Sequence, residues 1–252
     1  MGEIDRALEG LARCIGAGAT VTVLTGAGVS AASGVPTFRG ADGLWRQHRA
    51  EDLATPDAFA RNPQLVWAWY AWRRERIAAC QPNRTHQVLA AWKARDHTLS
   101  VVTQNVDGLH ERAGLADLVR LHGSIWHLRC WASCPTSPVR WRDDRVPLPE
   151  IPPHCPHCHG LARPDVVWFG EPLDPAVLDA ASRAAASDIF ISAGTSSLVY
   201  PAASFLPVAR ARGAYTVEVN IDDTPASDTV DLVLRERAEV VFDRLEHLLG
   251  AR

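Results

Sequence analysis

Two cysteine pairs, one glycine turn and a few polar residues at strand ends hold most of the chemistry this chain could perform. Cys130-x3-Cys134 and Cys155-x2-Cys158 are separated by 20 residues. Each short knuckle can supply adjacent corners of a tetrahedral Zn2+ site. Four thiolates leave no open position for water, so one structural Zn2+ is expected. His154, His157 and His159 flank the second pair, and an imidazole in place of one thiolate stays open. Arg140, Arg142 and Arg145 lie between the pairs and could suggest a nucleic-acid ribbon. Asp143 and Asp144 stand beside them, so a solvated loop is expected instead.

The run Leu24-Thr-Gly-Ala-Gly-Val-Ser-Ala-Ala-Ser-Gly-Val-Pro-Thr-Phe-Arg39 follows a short apolar strand at 20–24. Gly26 and Gly28 would let backbone N–H groups approach a pyrophosphate at the positive end of a helix. The third glycine of the ordinary dinucleotide fingerprint is missing, because position 31 is Ala31. Ser30, Ser33, Gly34, Pro36, Phe38 and Arg39 extend the loop. This reads as a site that holds NAD for cleavage rather than for hydride exchange. Tyr70 and Arg73 are three apart on a helical run and so share a face. The arginine fork fits a carboxylate through two hydrogen bonds, and the phenol can donate a third.

These groups need a scaffold, and the chain is long enough for one main domain with a smaller module. Ile4, Leu8, Leu11 and Ile15 mark a first helix. Residues 40–95 read as mostly helical. Asn62-Pro63 starts a helix that ends near Ala79, and Pro82-Asn83 separates it from another carrying Val88, Leu89 and Trp92. Apolar strands are expected at 99–103, 118–121, 165–169, 188–193 and 215–219. Strands alternating with helices imply a parallel sheet, with ligand at the carboxyl ends of its strands. Gly26, Gln104, His122, Gly194 and Asn220 all follow strands directly.

Net charge is −3, which calls for neither nucleic acid nor an acidic membrane. No apolar run approaches a membrane span, and the N-terminus lacks the pattern of a secretory signal. Cys14 and Cys80 are isolated, so a reduced compartment fits better than a disulfide framework. A soluble, cytoplasmic monomer is expected.

In order, the glycine loop, Thr103-Gln-Asn-Val-Asp-Gly-Leu-His110, Leu121-His-Gly123, the four cysteines, Val167-Trp-Phe-Gly-Glu171 and Gly194-Thr-Ser-Ser197 resemble the sirtuins, NAD-dependent protein lysine deacylases. The resemblance covers almost the whole chain. It implies a Rossmann-like α/β domain from 1–39, 96–129 and 161–252, a helical substrate-pocket module at 40–95 and a zinc-binding module at 130–160. It also implies NAD+ as co-substrate and acylated-lysine proteins as partners.

In that chemistry the acyl-lysine carbonyl oxygen attacks the anomeric carbon and expels nicotinamide. A base then activates a ribose hydroxyl against the resulting alkylimidate. His122 matches the family's base, a role that suits an imidazole's pKa. Asn105 and Asp107 match the residues holding the nicotinamide amide and neighbouring ribose, and Gln104 a ribose contact. Gly26, Ala27, Gly28 and Ser30 match the first cofactor loop, with Phe38 covering the reacting centre and Arg39 near phosphate. Gly194, Thr195 and Ser196 match the second loop, Asn220 the adenosine ribose contact and Ala238 the segment beside adenine. Val167, Trp168 and Phe169 would pair with an extended substrate peptide.

Trp69-Tyr-Ala-Trp-Arg73 resembles the Y-x-x-R signature of the class that removes succinyl, malonyl or glutaryl groups. Ala54 stands where that class keeps a small residue, and acetyl removal is expected to be weak. The alternatives are a general deacetylase, an ADP-ribosyl transferase and a silent NAD or ADP-ribose sensor. The intact Asn105, Asp107 and His122 argue against the sensor.

Overall fold

Glu3–Gly16 forms α1, whose apolar residues recur at helical spacing. The chain then runs through β1 (Val21–Thr25) directly into α2 (Ala27–Ala31). The computed structural model describes residues 2–37, 44–45, 48–95 and 98–250, so Phe38 and Arg39 lie outside the described residues. A small antiparallel pair, β2 (Leu44–Trp45) and β3 (His48–Arg49), leads into α3 (Ala50–Leu53) and α4 (Pro56–Arg61). Next comes α5 (Pro63–Ala79), where the Asn62 side chain accepts from the Leu65 N–H at 3.0 Å and Pro63 takes the first helical position.

The chain continues through α6 (Arg84–Arg95), β4 (Leu99–Thr103), α7 (Leu109–Arg112), β5 (Val119–Arg120) and β6 (Gly123–Cys130). It then forms β7 (Trp141–Arg142), β8 (Ala162–Val166), α8 (Pro175–Ala184) and β9 (Ile189–Ala193). Last come α9 (Phe205–Ala211), β10 (Tyr215–Asn220), β11 (Leu232–Arg235) and α10 (Ala238–Gly250).

Six strands make one parallel sheet in the order β11-β10-β9-β1-β4-β5. The chain leaves β1 toward β4 and later returns to its other side with β9. The order therefore reverses between β1 and β9, where ligands bind in open parallel sheets. Thr25 is in register with both Thr103 and Ala193, and Ala193 with Val219. Gly26, Gln104, Gly194 and Asn220, each the next residue, thus line one rim.

Both faces of the sheet are covered, as an all-parallel sheet requires. Val21, Val23, Ile189 and Ile191 pack against α1, α6 and α10, while Leu24 and Phe190 pack under α8 and α9. Helix α6, within the 40–95 segment, joins this main core through Val88, Leu89 and Trp92.

A third apolar cluster lies apart from the parallel sheet. Phe59, Trp67, Trp69, Tyr70 and Ile77 pack against Ile125, Trp126, Leu128 and Ala162 of the three-stranded sheet β7-β6-β8 and against Trp168 just beyond it. This arrangement corrects one expectation. The run 165–169 is not a strand of the parallel sheet: β8 ends at Val166 and pairs antiparallel with β6. Prolines at 164 and 172 confine it to the small sheet's margin.

Candidate active site

The two glycine loops meet backbone to backbone at the switch point. A Cβ on Gly26 would lie 2.7 Å from the Gly194 oxygen, and one on Gly194 would lie 2.5 Å from the Val29 nitrogen. Only glycine permits that approach. The Gly26 N–H donates to the Ala193 carbonyl at 3.0 Å and the Gly28 N–H to the Gly194 carbonyl at 2.8 Å. Those N–H groups are therefore engaged within the protein and do not face a pyrophosphate, a correction to the expected role. The glycines close the two loops into one floor, and Ala27 sits between them at the first position of α2.

Side chains tie the second loop to its neighbours. Gln104 Nε2 donates to Thr195 Oγ1 at 2.9 Å, and Asn220 Nδ2 donates to the Thr195 carbonyl at 2.8 Å. Ser196 follows, half-buried, at the rim. Ala238 opens α10 and is buried in the main core beside Val241 and Phe242.

Beneath the first loop lies a buried polar network. Ser30 Oγ donates to Asp107 Oδ2 at 2.7 Å and accepts from Asn105 Nδ2 at 3.2 Å. Ser30 is fully buried, so its hydroxyl organises the network rather than the rim. The Leu109 N–H holds the other Asp107 oxygen at 2.8 Å, and Trp126 Nε1 holds the Asp107 carbonyl at 2.6 Å. Asn105 also gives its amide N–H to the Gly26 carbonyl at 3.1 Å.

Two histidines that the motif reading did not single out complete the network. His86 Nε2 is 3.4 Å from Ser30 Oγ, and its ring lies 4.8 Å from that of His110. Burial drives the pKa of His86 down to about 4 and that of His110 down to about 3. Both are neutral at neutral pH. The one signal for His86 was its place on the buried face of α6, between the apolar positions Val88 and Leu89 and the preceding turn.

His122 sits where β5 gives way to β6. Its Nδ1 is 3.1 Å from the Gln104 carbonyl. A carbonyl only accepts, so Nδ1 carries the proton and Nε2 is left as the basic nitrogen. Burial lowers the His122 pKa below the ordinary 6.5, and the bond to the Gln104 carbonyl opposes that shift. Gly123 allows the placement: it has φ +77, and a Cβ there would lie 2.1 Å from the Asp165 oxygen.

The segment after β8 closes the cleft on the helical side. Its N–H groups are all engaged: Val167 with the His122 carbonyl (3.0 Å), Trp168 with Glu171 Oε2 (2.9 Å) and Phe169 with the Ala54 carbonyl (2.9 Å). The Trp168 carbonyl in turn accepts from the Glu171 N–H at 3.0 Å. Phe169 is exposed, whereas Trp168 is fully buried. Tyr70 and Arg73 are both buried on α5, and the Arg73 guanidinium lies 5.3 Å from the Trp69 ring centroid. Burial raises the Tyr70 pKa to about 12 and lowers that of Arg73.

The four cysteines converge at the far end of the small sheet, with all Sγ atoms within 4.8 Å of one another. Cys130 and Cys158 are 3.7 Å apart, and Cys134 and Cys155 are 3.8 Å apart. A tetrahedron with Zn–S bonds of about 2.3 Å has S–S edges of about 3.8 Å, so the donor set fits one zinc. His154 bonds Glu150 instead, which settles the alternative of that imidazole as ligand. Stripping the metal with a strong chelator should release one zinc per chain and lower the melting temperature by at least about 5 °C. Metal analysis beside a melt checks this, and zinc-free protein with an unchanged melt would refute a structural role.

A floor without Cβ atoms at the switch point, with Asn105, Asp107 and His122 around it, fits a dinucleotide. Comparisons with known proteins agree. Residues 26–201 match the Sir2 family. The chain is 47% identical over 240 residues to an NAD-dependent protein deacylase of Aquifex aeolicus (strain VF5), covering 92% of this chain and 98% of that protein. It is 47% identical to NAD-dependent protein deacylase 1 of Archaeoglobus fulgidus, covering 94% and 96%. Among solved structures, a Sir2 homolog–NAD complex superimposes with a TM-score of 0.87 at 46% identity, covering 96% of this chain and 94% of that one. A Sir2–p53 peptide–NAD+ complex gives 0.78 at 27% identity, covering 92% and 94%. This chain belongs to the Sir2 family, the NAD-dependent protein deacylases.

Proposed function

We propose that this deacylase acts on lysines carrying acidic acyl groups, succinyl, malonyl or glutaryl, and removes acetyl groups more slowly. The observation that carries the reading is the burial of a guanidinium and a phenol, Arg73 and Tyr70, one turn apart on a helix beside the cleft. A guanidinium fork and a phenol hydroxyl both donate to a carboxylate. An acyl chain ending in a carboxylate supplies that acceptor, and Ala54 leaves room for its length.

Bound NAD+ supplies the glycosidic bond that breaks and the ribose that accepts the acyl group. His122 Nε2 takes the ribose hydroxyl proton, while its Nδ1–H stays on the Gln104 carbonyl. Asn105 would hold the nicotinamide amide, and the Asp107 carboxylate, anchored by Ser30 and the Leu109 N–H, would fix the loop that presents it. The products are nicotinamide, the freed lysine and O-acyl-ADP-ribose. The reduced thiols of the zinc site suit the cytoplasm.

A general deacetylase is the competing reading, favoured by the stacking of Arg73 on Trp69, which could be packing alone. Turnover of succinyl-, malonyl-, glutaryl- and acetyl-lysine peptides, with and without NAD+, separates the two. At least tenfold higher kcat/KM for one acidic acyl peptide is expected. A preference for acetyl would overturn the proposal.

A further inference from the structure

Trp168 is fully buried beside Tyr70, and its one polar atom is used. Trp168 Nε1 donates to the Tyr70 hydroxyl oxygen at 2.9 Å. The indole is held on every side. The Arg163 guanidinium stacks 3.4 Å from its ring centroid, and Phe59 lies 5.3 Å away. Arg163 grips Glu171 through two bonds, of 2.5 and 2.9 Å, and Glu171 in turn accepts the Trp168 backbone N–H.

The consequence is one of donors and acceptors. A phenol has one proton to give and an oxygen that accepts. Indole Nε1–H can only donate, so it occupies the accepting side of Tyr70 and cannot take the phenolic proton. Arg73, three residues along α5, is also a donor only and pulls down the Tyr70 pKa. Burial keeps the phenol protonated, since the net shift is upward, to about 12. The Tyr70 O–H thus stands between two groups that offer it no acceptor.

We propose that Trp168 is a specificity-determining positioning residue, whose indole N–H fixes Tyr70 as a hydrogen-bond donor to the carboxylate of an acidic acyl group. The inference rests on the acidic-acyl reading above. Trp168 acts through Tyr70, whose hydroxyl its indole N–H meets. With the indole N–H gone, the phenol can rotate, and a water or the acyl carboxylate must compete to orient it. A methyl-ended acetyl group makes no use of that donor.

The test uses the full-length protein and the variants Trp168→Phe, Tyr70→Phe and their double, each assayed with succinyl- and acetyl-lysine peptides on one preparation. The succinyl-to-acetyl ratio of kcat/KM should fall about tenfold in Trp168→Phe, mostly through a higher KM for the succinyl peptide. The double variant should fall no further than Tyr70→Phe alone, because the effect runs through one hydroxyl. Partial unfolding scales both activities and leaves the ratio unmoved. If Trp168→Phe gives no folded protein, Glu171→Gln, which loosens the clamp on the indole, must shift the ratio the same way by a few-fold. An unmoved ratio, or additive losses in the double variant, overturns the role of Trp168 alone. A parent enzyme that does not prefer the succinyl peptide overturns the acidic-acyl reading and this inference with it.

Discussion

Arg73→Met should lower kcat/KM for succinyl-lysine peptides about 100-fold, with a far smaller loss on acetyl peptides. Removing one partner of a buried, hydrogen-bonded charge pair costs about 2–5 kcal/mol, and 100-fold corresponds to about 2.8 kcal/mol. Methionine suits the test because its flexible thioether refills the apolar space beside Trp69 without offering a donor. Equal losses on both acyl groups, with the melt unchanged, would show that Arg73 does not select the carboxylate.

His122→Ala has the next largest expected effect, a fall in kcat of about 100- to 10,000-fold, the usual contribution of a positioned acid or base. The pH profile adds an independent check, because two buried histidines, His86 and His110, lie near the half-buried His122 and only one can be the base. A base must be unprotonated, so activity is lost as pH falls through its pKa. Burial holds His122 below 6.5, which places the acid limb below that value. His86 would place the limb near 4 and His110 near 3. A limb that lies below 6.5 but above that of His86 and disappears in the residual activity of His122→Ala assigns the proton to His122. A limb at 4 or lower would move the role to His86.

The order of motifs disclosed the sheet and its rim, because each functional run follows an apolar strand and strand ends align in a parallel sheet. It disclosed the zinc ligands for a similar reason: two local knuckles need only one fold-back to meet. What it could not disclose were contacts made by the sheet itself. Ser30 and Asp107 are 77 residues apart and Ser30 and His86 are 56 apart, and nothing local marks either pair. The fingerprint glycines were legible as glycines but misleading in purpose. A glycine turn after a strand can mean close approach to phosphate or to another loop, and the partner loop at Gly194 lies on a strand reached much later in the chain. The run at 165–169 misled through composition, since an apolar stretch carries no sign of which sheet it joins. Phe38 and Arg39 stay as expectations on the first loop.

The three apolar clusters share no member, and His122 lies between Leu121, which belongs to the one under α8 and α9, and Ile125, which belongs to the one around α5. The proton-moving imidazole therefore stands on a seam. On one side lie the glycine loops at the switch point, on the other the helix that carries Tyr70 and Arg73. On the proposal above, changing which tag is accepted is a matter of repacking the helical side, and the loops at the switch point can be left as they are.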